Sequence, residues 1–172
     1  GYYESENMKS TFVPNRNAIF FSLIYGYAIS LMKDYDEKIS ISLGAHSGDH
    51  AIYPDCRLEF FEKLFESFQI GNWDSEHIEL YVPYINMTKT DILLDAEESI
   101  NKLNLDFDTI FKNTITSYSP NRSGISSGKT GSDIERILAF NSINRKDPII
   151  YQSSWESVLE NALKMEKDFI SE

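Results

Sequence analysis

Behind Pro14, which a first helical turn tolerates, Ala18, Ile19, Leu23, Ile24, Tyr27, Ile29 and Leu31 are apolar with a helical period. The spacing predicts a mostly buried helix from about residue 15 to about 33. Lys38 to Ala45 is a short β-branched run ending near glycine, and His46 to Cys56 is polar, which predicts a strand with a loop at its carboxyl end. Phe60, Phe61, Leu64, Phe65 and Phe68 return to helical spacing within Arg57–Ile70, with Gly71 as the stop. A second strand is expected over His77–Val82, closed by Pro83. Thr88, with Asp91 three residues on, then opens a helix through about Ile100. Lys112 to Gly131 is rich in Ser, Thr, Asn and Gly and reads as a loop or poorly ordered segment, and Ser132–Phe140 as a short helix. The tail carries a capping pattern at Ser153-Ser154-Trp155-Glu156. Trp155, Val158, Leu159, Ala162, Met165 and Phe169 then fall on one helical face.

Helices alternating with short β-rich strands predict an α/β unit with parallel strands and helices on the faces. Two strands are too few, because a parallel pair buried on both faces needs neighbours for its edges. More of the sheet is therefore expected from elsewhere.

Composition narrows the partners. The chain has 172 residues, 41% of them hydrophobic and 13% aromatic, enough for an ordinary core. A net charge of -11, from 16 basic and 27 acidic side chains, argues against a nucleic-acid partner. The single cysteine, Cys56, excludes an internal disulfide framework and a cysteine-rich metal site and fits a reducing compartment. No apolar run approaches the roughly 18–20 residues of a spanning helix, so no membrane partner is expected.

Two motifs carry the chemistry. Val13-Pro14-Asn15-Arg16-Asn17 places a guanidinium and two amides at a helix start, where backbone N–H groups and the dipole favour an anion. The same residues also read as a plain helix entry with a solvated Arg16. Ser47-Gly48-Asp49-His50-Ala51-Ile52-Tyr53-Pro54-Asp55-Cys56-Arg57 follows the first strand. In open α/β sheets ligands bind outside the carboxyl ends of strands, where this segment is placed. Asp55 as a helix N-cap and Arg57 as a surface ion pair are the plainer alternatives. Cys56, with no activating base nearby in sequence, reads as a small buried residue. His46 and His50 read as neutral hydrogen-bonding side chains, since no third ligand makes a metal site with them.

Together these motifs resemble the 7-cyano-7-deazaguanine synthase family of the PP-loop superfamily. So do Pro83-Tyr84-Ile85-Asn86-Met87-Thr88-Lys89-Thr90-Asp91-Ile92 and, near the start, Gly1-Tyr2-Tyr3 and Met8-Lys9-Ser10-Thr11, although Tyr2 stands where many members have histidine. The resemblance runs to about Asp147-Pro148 and corresponds to the later two-thirds of a usual member. It implies part of a Rossmann-like PP-loop sheet of the adenine nucleotide alpha hydrolase type, with flanking helices, completed by upstream residues or a second chain. Residues 1–147 would form the later part of the synthase-like domain, and 148–172 an added amphipathic helix.

The implied activity is AMP-forming ligation. ATP, with Mg2+, adenylates a 7-deazaguanine carboxylate, and ammonia accepts the acyl group on the way to the nitrile. Arg16, Asn17 and Lys89 would lie on the nucleotide or carboxylate side. Asp49 and Asp55 would accept from the N–H edge of the deazapurine, Tyr53 would stack on it or hydrogen-bond to it, and Arg57 would clamp a carboxylate. No catalytic residue is assigned. The resemblance also implies a homodimer and a cytoplasmic location.

The pattern breaks in two places. The superfamily's Ser-Gly-Gly-x-Asp-Ser phosphate loop is absent, and Ser126-Ser127-Gly128-Lys129-Thr130 does not replace it, having neither the earlier glycine nor a preceding strand. This chain alone is expected to be inactive. Where the family has four zinc cysteines, alignment places Ser117, Ser127, Thr130 and Asp133, so no zinc is expected and the 112–133 loop is a degenerate zinc site, more mobile unless hydrogen bonds, the tail helix or a partner hold it. Two alternatives remain open: a defence-associated ligase that joins a deazapurine to a protein amine, and a non-catalytic binding subunit. An upstream phosphate loop favours an enzyme; a true start near Gly1 favours a split enzyme or a binding module.

Overall fold

A computed structural model of the chain describes residues 12–32, 38–118 and 120–170, without the side chains of His50, Ala51, Phe169 and Ile170. The family-like Gly1–Thr11 stretch lies outside the described residues. The chain divides into two compact units, one Phe12–Thr88, the other containing everything from Lys89 onward.

In the first unit Asn15 takes a left-handed conformation (φ 58°), and helix α1 (Arg16–Met32) starts from the turn it makes. Asparagine is among the few residues that accept that backbone geometry cheaply. Phe21, Tyr25 and Ala28 face inward and are buried. Their ring contacts are with helix α3 (Leu58–Gly71): Phe21 stacks on Phe68 at 5.8 Å, and Tyr25 meets Phe65 edge-on at 5.7 Å. Each fully buried ring contributes about 1.5–3 kcal/mol through the water it excludes. The opposite face of α1 stays exposed: Ile19, Phe20, Leu23, Ile24 and Tyr27. The expected mostly buried helix is thus buried along one stripe only.

Strand β1 (Ile39–Ser42) pairs in parallel with β2 (Ile78–Tyr81), Ile41 opposite Leu80. Ile39, Ile41, Ile78 and Leu80 join the α1–α3 core, while Ser40, Ser42, Glu79 and Tyr81 are not packed there, and Ser40 Oγ donates to Glu79 Oε1 at 2.5 Å. This strict alternation covers one face of the pair, not the two expected, and follows from side chains of period two. The sheet has two strands among the described residues. The architecture is mixed α/β with a small parallel sheet and flanking helices.

The expected loop from His46 to Cys56 is a correction. Residues Ser47–Ile52 form helix α2, and Pro54–Cys56 a 3-10 turn. His46 caps α2, its Nδ1 accepting from Gly48 N–H at 3.0 Å. Asp49 closes the capping box by accepting from His46 N–H at 3.3 Å.

The second unit holds α4 (Lys89–Lys102), α5 (Phe107–Lys112), α6 (Gly131–Ser142) and α7 (Trp155–Ile170). Helix α5 was not expected; Asp106 caps it through Thr109 N–H at 2.8 Å. One cluster joins Leu93, Ile100, Phe107, Ala139 and Phe140, and a second joins Ile134, Ile137, Tyr151, Val158 and Ala162. At the centre Arg136 makes a two-pronged ion pair with Asp147, 2.6 and 2.9 Å, with both side chains buried. Arg136 also donates to Thr114 Oγ1 and to the Phe111 carbonyl, and Tyr151 Oη donates to Asp147 at 2.7 Å. Burial and then the neighbouring Asp147 push the Tyr151 phenol well above its usual range. No helix among the described residues is long and apolar enough to cross a membrane.

Candidate functional site

The two sequence motifs meet inside the first unit through one side chain. Asn17, at the start of α1, donates its amide hydrogens to the Asp55 carbonyl at 3.1 Å and to Cys56 Sγ at 3.3 Å. The amide expected on the nucleotide side therefore ties one motif to the other. Arg16 sits beside it as the first residue of α1, half-exposed.

Asp55 is the most unusual group here. It is 7% exposed, and neither carboxylate oxygen has a hydrogen-bond partner among the described residues. Nor does it cap a helix: the residue at the start of α3 is Arg57, which is exposed and makes no side-chain capping bond. Leaving two carboxylate oxygens buried and unsatisfied costs folding free energy. Tyr53 lies beside them at 6% exposure, so a ligand on its ring would meet a surface already largely covered. Asp49, by contrast, is engaged by the His46 cap, with His46 Nε2 3.4 Å from its Oδ2. Ser47 fastens the start of α2 to the segment before α4, its N–H and hydroxyl both donating to the Met87 carbonyl at 3.0 and 2.8 Å.

Cys56 is buried, and its thiol is pushed from the usual 9.0 up to about 11, first by burial and then by the negative charges of Asp49 and Asp55. It is a packed residue that accepts from Asn17, as the absence of an activating base predicts.

Lys89 begins α4 in the second unit and forms an ion pair with Glu135 of α6. In that same unit, three of the four positions expected in place of zinc cysteines come together on one carboxylate oxygen of the fourth, Asp133. Asp133 Oδ2 accepts from Ser117 Oγ at 2.9 Å, Ser127 Oγ at 3.1 Å and Thr130 N–H at 3.3 Å. Thr130 Oγ1 in turn accepts from Asp133 N–H, which completes a capping box at the head of α6. The Thr-x-x-Asp spacing of Thr130 and Asp133 was the available sign of this box. The look-alike of a phosphate loop is part of the same knot: Lys129 N–H and Thr130 N–H point at Ser127 Oγ and Asp133, not outward to an anion.

Known proteins match both regions. A family model described as "Queuosine biosynthesis protein QueC" matches residues 1–144. The chain belongs to the QueC family. Among curated relatives, 7-cyano-7-deazaguanine synthase 1 of Colwellia psychrerythraea is 45% identical over 152 residues, 88% of this chain and 62% of that protein. The 7-cyano-7-deazaguanine synthases of Pseudoalteromonas translucida and Caldicellulosiruptor saccharolyticus are 43% and 41% identical, each over 88% of this chain and over 62% and 60% of theirs. The chain thus spans about three-fifths of the length of the QueC relatives it matches.

Proposed function

We propose that these residues form the base-binding part of a QueC-like enzyme that activates a 7-deazaguanine carboxylate with ATP and transfers it to ammonia to give the amide, whose oxygen a second ATP-dependent activation removes to give 7-cyano-7-deazaguanine. The buried, unpartnered Asp55 carboxylate carries this reading. The edge of a guanine-type base presents two parallel N–H donors, and a carboxylate with both oxygens free is their two-pronged complement. Asn17 holds the Asp55 backbone in place, and exposed Arg57 is available to the carboxylate substituent of the base.

ATP supplies the adenylyl group that turns the carboxylate into a leaving-group-bearing acyl centre. The phosphates are not held by the described residues, because the only segment resembling a phosphate loop spends its N–H groups on Ser127 and Asp133. Their cradle is contributed by polypeptide outside these residues. The two-stranded sheet, the exposed apolar face of α1 and the extra length of the relatives support that completion. Arg16, at the amino end of α1, lies where an anion gains from the helix dipole.

The test is mass spectrometry of the full-length protein with ATP, 7-carboxy-7-deazaguanine and ammonia. AMP and the nitrile are the expected products. AMP without nitrile would redirect the reading to another acceptor, such as a protein amine. Absence of both AMP and bound deazapurine, with no effect of Arg57→Ala, would overturn the site.

A further inference from the structure

The segment between α5 and α6 has the composition of a loose loop, yet it is fastened at both ends and in the middle. Ser117, Ser127 and Thr130 converge on Asp133, which is completely buried. Alongside them, Ser132 Oγ donates to the Thr116 carbonyl at 2.8 Å, and Arg136 Nη1 reaches Thr114 Oγ1 at 2.7 Å. The donor set is three hydroxyls, a backbone N–H and one carboxylate. Structural zinc takes thiolates and imidazoles in a closed tetrahedron, and one carboxylate already receiving hydrogen bonds does not supply that field. The residues present therefore do not fit the metal that the resemblance implies.

A second fastening comes from residues beyond 144, where the family match ends. Tyr151 forms a parallel bridge with Ser126. Gln152 donates through its backbone to the Ser126 carbonyl at 3.0 Å and through its side chain to the Ile125 carbonyl at 3.1 Å. Helix α7 then closes over the loop. A Cβ added to Gly128 (φ +73°) would lie 2.6 Å from Val158 Cγ1, so the backbone of the loop and α7 are in direct contact. Val158 is itself part of the Ile134–Ile137–Tyr151–Ala162 core.

We propose that this chain holds its 114–130 segment without a metal, through a hydrogen-bonded knot on Asp133 and a clamp formed by the C-terminal 148–170 segment. The knot replaces thiolate bonds with charge-assisted hydrogen bonds, each weaker than a metal bond. The clamp supplies the remainder as buried apolar contact, and this is why the segment and α7 must fold as one.

The experiment is hydrogen exchange on the full-length protein, combined with metal analysis of the purified sample. No stoichiometric zinc is expected, and a strong zinc chelator should leave exchange in 114–130 unchanged. Asp133→Ala should speed exchange there ten- to a hundredfold, the equivalent of losing a charged hydrogen bond, with little change in residues 12–88. If that variant does not fold, Ser117→Ala and Ser127→Ala each remove one donor and should each give a smaller local acceleration. Val158→Ala, which removes part of the clamp, should speed exchange in the same segment. Stoichiometric zinc whose removal loosens 114–130 overturns the proposal. So does unchanged exchange in both serine variants, or in Val158→Ala.

Discussion

Replacing Asp55 by asparagine should make the free protein more stable, the reverse of what a substitution at a buried position ordinarily does. Asp55 is 7% exposed and both its oxygens lack partners among the described residues, so the folded state carries the desolvation cost of an unsatisfied polar group. That cost is about 1–3 kcal/mol for one unsatisfied polar group and more for a charged one. Asparagine keeps the shape and the backbone bond to Asn17 and removes the charge, but its neutral amide stays unsatisfied, so the gain is the excess cost of the charge alone. For a domain of this size, a gain of about 1–3 kcal/mol corresponds to about 2–12 °C in Tm. The assay is thermal unfolding of the full-length protein and the variant, with and without 7-carboxy-7-deazaguanine. Ligand should raise the Tm of the parent by mass action and leave that of Asp55→Asn unmoved. An Asn variant that unfolds more easily than the parent without ligand, or that retains the ligand-induced shift, would refute the reasoning, because Asp55 would then have a partner in the protein or no role in binding.

Three other outcomes follow from the geometry. Asp147→Ala leaves the Arg136 guanidinium buried without its carboxylate and should cost about 3–5 kcal/mol, whereas replacing both by apolar residues of similar volume should cost much less. Urea titration followed by Trp155 fluorescence in a Trp73→Phe background reads this; a double variant as damaged as the sum of the singles would contradict it. Cys56, with its folded-state value raised from 9.0 to about 11, should resist alkylation near neutral pH and react along a titration centred near pH 11. Its contribution to stability is full below pH 9 and fades as pH rises towards 11, so Cys56→Ser should flatten the stability profile in that window. Finally, changing Ser117, Ser127, Thr130 and Asp133 together to cysteine should create a thiolate site, because the Ser117 and Ser127 hydroxyls and the Thr130 backbone N–H already converge on the Asp133 carboxylate. Cobalt binding with a thiolate charge-transfer band is the readout, and its absence would show that the four positions do not share a metal-sized frame.

The main helices and both strands were legible because their apolar positions keep strict periods: Phe61, Leu64, Phe65 and Phe68 on α3, and Ile39 and Ile41 on β1. Helix α2 was not, since Ser47–Ile52 is a short polar run and its cap is a histidine in place of the usual Ser, Thr, Asp or Asn. Apolar residues all round α1 suggested a mostly buried helix, but among the described residues the buried stripe is Phe21–Tyr25–Ala28. The zinc-replacing positions could be named from alignment with the family pattern; that they gather on a single Asp133 oxygen depends on how the loop returns to the head of α6. The Arg136–Asp147 pair had no local signature, because its members are joined only when the chain after α6 doubles back. At the motifs the sequence named the residues, while their hydrogen-bond partners emerge only in the fold. Asn17 and Asp49 hold the backbone, and Asp55 keeps both acceptors free.

The outward face of α1 also governs how this polypeptide behaves in a test tube. Phe20, Leu23 and Tyr27 are each at least 60% exposed on one helical surface, next to Ile19 and Ile24. Against them stands a net charge of -11, whose repulsion keeps molecules apart in dilute buffer. Added salt shortens the range of that repulsion to about 8 Å at physiological ionic strength and leaves the sticky surface untouched. Colloidal stability of the isolated 172-residue chain should therefore fall as salt rises, and low-salt handling is the condition under which it stays dispersed.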